Sequence, residues 1–267
     1  MWLDIALLAA CFLGVSLVVM FLVWLWQRHS RNASAVDVAW TFGVGAGAIA
    51  ACALGDGDET RRLVVALLYG IWSLRLGVHL AWDRLFVHRE EDGRYAMLRE
   101  EKGENWNTWA LMFFAAQAVF VVLFTIPALA LAFDPRPFGL PLDYAAIGIW
   151  VGALTGEAVA DRQLAKWRSN PENRGKTCRA GLWHYSRHPN YFFEWLHWFA
   201  YLALAIGGAL WWLPLAHVAV VLFLILFMTG IPYTEQRALK TRGDDYRAYQ
   251  RSTSPFIPWF PKQEHSS

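Results

Sequence analysis

The chain has 267 residues, of which 56% are hydrophobic and 17% are charged, and its formal net charge is +2. This composition indicates a polytopic membrane protein and excludes an ordinary soluble globule. The three cysteines (Cys11, Cys52 and Cys178) have neither the spacing of a disulfide framework nor that of a zinc site. We expect no bound metal, and we infer neither a nucleic-acid partner nor an obligatory protein partner.

Seven apolar segments predict seven transmembrane helices, because a helix needs about 20 apolar residues to cross a bilayer. The expected fold class is therefore all-α. The first segment is long enough to span and has no basic residue before it, so it is interpreted as a helix and not as a signal peptide. The fifth and sixth segments are short and contain acids, as in helices that line a cavity. The segments are Leu3–Trp26, Ala35–Leu54, Leu63–Trp82, Trp109–Ala132, Tyr144–Val159, Tyr191–Ile206 and Leu210–Ile231.

The basic residues are distributed unevenly between the two sides of this predicted bundle. Nearly all of the 24 Lys and Arg residues fall in four segments that share one side of a seven-span topology. Basic loops stay in the cytoplasm, so we predict the N-terminus outside and the C-terminus in the cytoplasm. We expect one integral membrane domain over residues 1–261, followed by a disordered tail over residues 262–267.

Several polar side chains interrupt the apolar segments near their predicted cytoplasmic ends. An ionisable side chain is expensive inside a bilayer, so by default it is a functional-site hypothesis. Each one alone could be a structural hydrogen bond between helices, which is common in bundles. Together they converge on one depth, as expected for a cofactor pocket that opens to the cytosol. The residues are Asp37, Tyr69, Arg75, Glu157, Asp161, Asn190, Glu194 and Glu235.

The most polar entrance to a predicted span is Gly181–Glu194, which has the sequence GLWHYSRHPNYFFE. Pro189 favours the first turn of a helix, because the N–H that it lacks has no helical partner there. Asn190 and Glu194 then stand one turn apart on the same face. An ordinary helix entrance needs less polarity than this one. The further polar residues of the stretch are Tyr185, Arg187 and His188.

Upstream of this stretch, cations are interleaved with amides and aromatic residues. Arginine clusters of this kind suit bidentate recognition of phosphate, and neighbouring rings can stack on a planar base. A patch that attracts anionic lipid is the alternative, and it explains the charge but not the acids and amides. The loop therefore favours a nucleotide cofactor, although no G-x-G-x-x-G fingerprint indicates a Rossmann mode. The cations are Lys166, Arg168, Arg174, Lys176 and Arg179.

The chain after the last predicted span carries periodic charges, which predict a cytoplasmic amphipathic helix. This helix either closes the pocket from below or is simply solvated. Phe256, Trp259 and Phe260 follow it, and we expect all three to return to the membrane interface.

Three sequence blocks resemble the bacterial branch of the membrane-embedded steroid 5α-reductase family and, more distantly, sterol reductases and isoprenylcysteine carboxyl methyltransferases. The blocks are DRQLAKWRSNPEN, GLWHYSRHPNYFFEW and IPYTEQRALKTRGDDYRAYQRSTSPFIPWFP. The resemblance implies a seven-helix bundle of the bacterial inner membrane that binds NADPH from the cytosol. It also implies substrate-side helices within residues 1–134 and cofactor-side helices within residues 135–261, with a steroid or another hydrophobic enone entering from the lipid.

The same resemblance implies roles for particular residues. By motif, the contacts to the nucleotide, ribose and nicotinamide are carried over to Glu157, Asp161, Arg168, Asn190, Glu194 and Glu235. The polarity of this chain adds five cofactor-binding candidates: Lys166, Arg174, Tyr185, Arg187 and His188. In the predicted substrate-side helices, the sequence differs from that of the animal enzymes of this family, because the second span has no Gln-Glu pair. The expected catalytic residues are Asp37, protonated and donating to the substrate carbonyl, with Tyr69 or Arg75.

The expected activity is NADPH-dependent reduction of the C4–C5 double bond of a 3-oxo-4-ene steroid or a similar enone lipid, by hydride transfer to the β-carbon. The main alternative is an S-adenosylmethionine-dependent methyltransferase of lipids, because the second block occurs in both groups. The sequence Thr234-Glu235-Gln236 lacks the paired glutamates of such methyltransferases, which favours the reductase. A seven-span transporter is disfavoured, since paired broken helices in two related halves are missing. A seven-span receptor for an extracellular ligand is disfavoured because the polar groups cluster on the predicted cytosolic side.

Overall fold

The computed structural model describes residues 1–87, 91–228 and 230–262. Regular secondary structure in these ranges is helical, apart from one isolated parallel bridge between Ser186 and Ser254. This result confirms the predicted all-α class. The helices are α1 (Trp2–Ser30), α2 (Ala35–Leu54), α3 (Glu59–Ala81), α4 (Gly93–Lys102), α5 (Trp106–Ala132), α6 (Pro141–Ser169), α7 (Leu182–Tyr185), α8 (Pro189–Ala205), α9 (Trp212–Phe223), α10 (Ile231–Arg242) and α11 (Asp244–Ser252). Most of the predicted disordered tail, from residue 263 onwards, lies outside the described residues.

Five helical stretches of the described chain are long and apolar enough to cross a membrane, which supports a membrane-embedded protein. The predicted fifth and sixth spans correspond to α6 and α8. Helix α8 has 17 residues, and α6 carries acids and cations towards its end. Seven spans and the orientation of the termini therefore stay predictions. The five stretches are Trp2–Ser30, Ala35–Leu54, Glu59–Phe86, Gly93–Ala132 and Trp212–Arg242.

The chain divides into two compact units. The first consists of Met1–Phe138 and Gly207–Leu213, and the second of Gly139–Ile206 and Pro214–Ser267. The division between substrate-side and cofactor-side helices, expected after residue 134, concerns function and stays a prediction. The structure adds a short return of the chain, because residues 207–213 join the first unit.

In the first unit, α2 packs against α1, α3 and α5. Helices α2 and α3 approach closely because small residues lie at their contact. A Cβ atom placed on Gly45 would lie 2.4 Å from the Cβ atom of Ser73. Across the same contact, the Ser73 hydroxyl donates a hydrogen bond of 2.9 Å to the Thr41 carbonyl. Small residues at helix contacts are typical of membrane bundles, where close packing replaces hydrophobic burial as the main attraction between helices.

In the second unit, α6 packs along α8. Gly156 on α6 leaves room for the ring of Phe193 on α8, which a Cβ atom at position 156 would approach to 2.4 Å. The short helix α7 is fixed to α6 by the Trp183 indole, which donates a hydrogen bond of 2.9 Å to the Ala160 carbonyl. These contacts position the polar segment that leads into α8.

The last predicted span, Leu210–Ile231, falls largely within the apolar stretch Trp212–Arg242, but its α-helical geometry is interrupted. Helix α9 begins at Trp212, becomes π-helical over Leu224–Met228, and is followed by α10 from Ile231 onwards. Pro232 lies in the first turn of α10. Because proline has no N–H to donate, it starts the new helix rather than continuing the previous one.

Candidate functional site

The entrance of α8 is linked to α10 through the carboxylate of Glu235. Helix α8 begins at Pro189, as predicted. The Arg187 guanidinium donates from Nε to Oε1 of Glu235 at 2.7 Å, and the ring of His188 lies 3.3 Å from the same oxygen. All three side chains are largely buried. The Glu235 cluster, as we call this group, consists of Arg187, His188, Glu235, Tyr246 and Gln250.

Helix α11 completes the Glu235 cluster. The Tyr246 hydroxyl lies 3.3 Å from Oε1 of Glu235, and Nε2 of Gln250 donates to Oε2 at 2.8 Å. Arg187 also donates from Nη1 to the carbonyls of Gln250 and Thr253, at 2.8 Å and 3.1 Å. Both carboxylate oxygens of Glu235 are therefore used by protein donors. The cluster therefore holds the entrance of α8 to the C-terminal helices.

His188 is buried in this cluster, and its ring stacks on Tyr191 with 5.5 Å between the centroids. Burial lowers the pKa of His188 below its ordinary value, because the charged imidazolium loses solvation. The hydrogen bond and charge of Glu235 oppose this shift without cancelling it. His188 is therefore held as the neutral ring at neutral pH.

A second group of predicted residues lines a pocket of about 410 Å³ between the end of α6, the loop after it and α10. Its cations are Arg168, Arg174 and Lys176, together with Arg242 from the last turn of α10. Among the described residues that line this pocket, none carries a carboxylate. Four like charges repel one another, so the arrangement favours the entry of an anion. We call it the cationic pocket.

The electrostatics of the cationic pocket reflect this crowding of positive charge. Partial burial and the charges of Arg242 and Arg237 lower the pKa of Arg168, although much of its side chain stays open to solvent. Cys178 lies in the wall, and burial raises the pKa of its thiol. The thiol therefore stays neutral and adds no negative charge that would balance the cations.

The loop that carries these cations is fixed to α11 by Asp245. Its Oδ2 accepts a hydrogen bond of 2.7 Å from the Thr177 N–H, and Arg179 donates to its Oδ1 at 3.1 Å. Burial raises the pKa of Asp245, but the hydrogen bonds from Thr177 and the charges of Arg179 and Arg242 outweigh it and leave the pKa below its ordinary value. The ionised carboxylate thus positions the loop in advance of any ligand.

Two of the predicted cofactor residues, Asp161 on α6 and Asn190 on α8, are in contact. Nδ2 of Asn190 donates to Oδ1 of Asp161 at 3.3 Å and so joins the two helices. Glu194 follows one turn after Asn190, and Glu157, which is buried, precedes Asp161 by one turn. The charge of Asp161 also acts on Arg168, which connects this group to the cationic pocket.

In the first unit, Asp37 lies in an ion-pair cluster. Its Oδ2 pairs with Arg84 and also with Arg94, at 3.0 Å from the latter, and its Oδ1 accepts a hydrogen bond of 2.7 Å from the Tyr95 hydroxyl. Both carboxylate oxygens are acceptors in this arrangement. The Asp37 carboxylate is therefore engaged by protein donors on both oxygens, and its predicted role at the substrate carbonyl stays a prediction.

The same cluster includes Asp92, which precedes α4. Its carboxylate lies 3.0 Å from Nε of Arg94 and 3.5 Å from Nη2 of Arg84. Burial raises the pKa of Asp92, but the charge and hydrogen bonds of Arg94 and the charge of Arg84 outweigh it, so the pKa lies below its ordinary value. Two carboxylates and two guanidinium groups therefore balance each other here.

Three further predicted residues lie apart from these clusters. Tyr69 is fully buried on α3, and its hydroxyl donates to the Phe124 carbonyl at 3.0 Å, which ties α3 to α5. Arg75 lies further along α3, with its Nε atom enclosed by the protein. Lys166 is exposed on α6 and is not part of the described lining of the cationic pocket.

Tyr185 lies with the C-terminal residues. Its ring packs edge-on against Phe260 at 5.9 Å, and its carbonyl accepts a hydrogen bond of 2.9 Å from the Trp259 N–H. Trp259 and Phe260 are strongly exposed. Phe256, which was expected with them at the membrane interface, is instead buried, and its carbonyl accepts a hydrogen bond of 2.7 Å from the Ser186 hydroxyl.

The sequence alone does not single out some residues of these clusters as parts of a site. They lie in charged amphipathic helices, where most polar side chains are simply solvated. The one hint for Arg242 is its place in the last turn of α10, directly before a glycine. The residues are Arg94, Arg242, Asp245, Tyr246 and Gln250.

A family model matches most of the chain. The family is described as protein of unknown function (DUF1295), and it matches residues 23–253, so the chain belongs to this family. The family is related to steroid 5α-reductase-like proteins. No curated protein and no solved structure matches the chain.

Proposed function

We propose that this member of the DUF1295 family is a membrane-embedded reductase that uses NADPH to saturate the C4–C5 double bond of a 3-oxo-4-ene steroid or of a similar enone lipid. The observation that carries the proposal is the cationic pocket. The family's relation to steroid 5α-reductase-like proteins supports the reaction class. The long apolar helices support a hydrophobic substrate that enters from the lipid.

The residues of the cationic pocket fit the phosphate groups of NADPH. Arg168, Arg174 and Arg242 offer planar guanidinium forks, and Lys176 offers a point charge, which together are the usual chemistry of phosphate recognition. The volume of about 410 Å³ lies within the range of about 300–1,000 Å³ that is usual for ligand sites. Trp167 lines the same pocket and offers a ring on which a base can stack.

The acids and amide of α6 and α8 are proposed to hold the remaining polar groups of the cofactor. Asp161 and Asn190 already contact each other, and Glu157 and Glu194 extend this group along the two helices. Carboxylates suit ribose hydroxyl groups, and an amide suits a carboxamide. NADPH supplies the hydride when it is bound, while the chain positions it and excludes water.

Arg187, His188 and Glu235 enter this proposal as positioning residues. Their hydrogen bonds run mainly among themselves and to α11. They fix the backbone that leads into Asn190, and so act on the cofactor through α8 rather than by direct contact. This assignment differs from the direct cofactor contacts expected for them from the sequence.

At the substrate end, the proposal keeps Arg75, assigns Tyr69 to holding α3 against α5, and changes the role of Asp37. In its ion-pair cluster, Asp37 holds Arg94 and Tyr95 in place. Arg94 keeps an exposed part of its side chain and is the better candidate to donate a hydrogen bond to a substrate carbonyl, where negative charge develops.

The predicted topology belongs to the same proposal. Seven spans, with the N-terminus outside and the C-terminus in the cytoplasm, would place the basic loop after α6 in the cytoplasm of a bacterial cell. A nucleotide is available only on that side of the inner membrane. The positive-inside distribution of Lys and Arg and the cationic pocket therefore support the same orientation.

Titration of the purified protein in detergent with NADPH, NADH and S-adenosylmethionine tests the proposal. Because Trp167 lines the pocket, energy transfer from tryptophan to the nicotinamide reports binding. Arg174→Gln should weaken NADPH binding by about tenfold or more, since a charge-assisted hydrogen bond contributes about 1.5–3 kcal/mol. Lys240→Gln is the matched control, because Lys240 is exposed on α10 and absent from the described lining.

The outcomes separate the reductase from its rival. NADPH should bind more tightly than NADH, because it carries one more phosphate, and a 4-ene-3-keto steroid should return saturated when analysed by mass spectrometry. Binding of S-adenosylmethionine alone would overturn the proposal in favour of a lipid methyltransferase. An equal loss of affinity in Arg174→Gln and Lys240→Gln would show that the cationic pocket does not bind NADPH.

A further inference from the structure

The chain after α11 presents an exposed apolar surface. We define the aromatic segment as residues 255–262, with the sequence PFIPWFPK. Ile257, Trp259 and Phe260 are 57%, 70% and 75% exposed. Large aromatic side chains with this exposure are unusual on a soluble surface unless they contact a partner.

Hydrogen bonds hold the backbone of the aromatic segment against neighbouring residues of the protein. Phe256 is buried and anchors it from within. The bonds tie the segment and the residue before it to residues 185–187 and 252. The donor and acceptor atoms are Arg187 N and Ser254 O (2.9 Å), Ser186 Oγ and Phe256 O (2.7 Å), Trp259 N and Tyr185 O (2.9 Å), and Lys262 N and Ser252 O (2.8 Å).

The backbone of the aromatic segment is suited to a poorly hydrated surface. Pro255, Pro258 and Pro261 have no N–H, and the N–H groups of Trp259 and Lys262 are already bonded, so only three of the eight residues of the segment leave an N–H to water or lipid headgroups. An unbonded N–H group is costly where water is scarce, so these features reduce the cost of leaving water. The side chains and the backbone thus favour the same apolar surroundings.

The charges beside the aromatic segment indicate what covers it. Lys262 at its end and Arg251 just before it in the chain are both exposed, and the Lys262 N–H bonds to residue 252, next to Arg251. Aromatic side chains beside cations match the interface of an anionic bilayer, where rings sit at the depth of the headgroups and cations meet phosphates. A symmetric contact between two copies of the chain would instead bring like charges together.

We propose that the aromatic segment inserts Ile257, Trp259 and Phe260 into the headgroup region of an anionic bilayer, with Arg251 and Lys262 on lipid phosphates. The segment then ties the Glu235 cluster to the membrane surface, because Arg187 of that cluster directly follows Tyr185 and Ser186, which bond to the segment, and its own N–H bonds to the Ser254 carbonyl. This inference does not depend on which cofactor or substrate the protein uses.

Photo-crosslinking tests this contact. The protein with Phe260→p-benzoylphenylalanine is reconstituted in vesicles of phosphatidylethanolamine and phosphatidylglycerol and irradiated, and its adducts are identified by mass spectrometry. Glu172→p-benzoylphenylalanine is the control, because Glu172 is exposed in the polar turn after α6. Trp259→p-benzoylphenylalanine is a second test position in case the first variant does not fold.

Lipid adducts at position 260 or 259 should exceed those at position 172 severalfold. They should also decrease when phosphatidylglycerol is replaced by phosphatidylcholine. Crosslinks between two copies of the chain would overturn the proposal and identify a dimer contact. Lipid adducts no more frequent than at position 172 would also overturn it, because the segment would then face water.

Discussion

Replacing Arg187 by glutamine would leave the Glu235 carboxylate without its guanidinium partner. The two side chains are 10% and 16% exposed, so little solvent is available to compensate. Breaking a buried ion pair costs about 3–5 kcal/mol, but the donors Tyr246 and Gln250 remain. We therefore expect Arg187→Gln to lower the free energy of unfolding by about 2–4 kcal/mol, because the remaining exposure and donors reduce the full penalty.

A double-mutant cycle isolates this pair from the other bonds of Arg187. Denaturant unfolding in detergent of Arg187→Gln, Glu235→Gln and the double variant should give a coupling of about 1.5–3 kcal/mol. The Arg247–Asp244 pair on α11 is the control, since its side chains are 65% and 103% exposed and 3.7 Å apart. Its coupling should not differ measurably from zero. Equal couplings in the two cycles would refute the conclusion that the Arg187–Glu235 pair holds the entrance of α8 to α10.

Three further predictions follow from the second unit. Gly156→Ala should destabilise the protein by about 1–3 kcal/mol, because its Cβ meets the Phe193 ring, whereas Gly152→Ala, with open space, should be neutral or stabilising in an unfolding assay. Because the pKa of His188 is lowered on folding, the unfolded chain takes up more protons as the pH falls below about 6.5. Stability should therefore fall there, and less so in His188→Gln. Asp245→Asn should release the basic loop and weaken NADPH binding severalfold in the fluorescence titration, and an unchanged affinity would contradict the role of Asp245.

The helical class and most helix positions could be predicted because apolar length is a local property of the sequence. Pro189 marks the start of α8 for the same reason, since its effect acts within one turn. The break between α9 and α10 is harder to predict from the sequence. The apolar run continues through Leu224–Met228, and only Pro232 indicates that the helix restarts.

The polar clusters could be predicted only in part. Arg187 and Glu235 each attract attention as polar residues at the edge of an apolar segment, but they are 48 positions apart, and their pairing depends on how α10 packs. The partners of Asp37 could not be predicted for the same reason, because they too depend on how other helices pack. An isolated acid in an apolar helix gives no sign of its partners, whereas the π-helical stretch Trp82–Val87 after α3 brings Arg84 to it and α4 brings Arg94.

Charge balance distinguishes a candidate site for an anion from clusters whose charges are already paired better than polarity does. In the Glu235 cluster, the carboxylate meets a guanidinium, and its remaining acceptor capacity is taken up by α11. Around Asp37, two carboxylates face two guanidinium groups. The cationic pocket differs, because no carboxylate occurs in its described lining, and burial and the neighbouring cations lower the pKa of Arg168. An anionic ligand would remove this imbalance, so the same loop should become more resistant to unfolding when NADPH is bound.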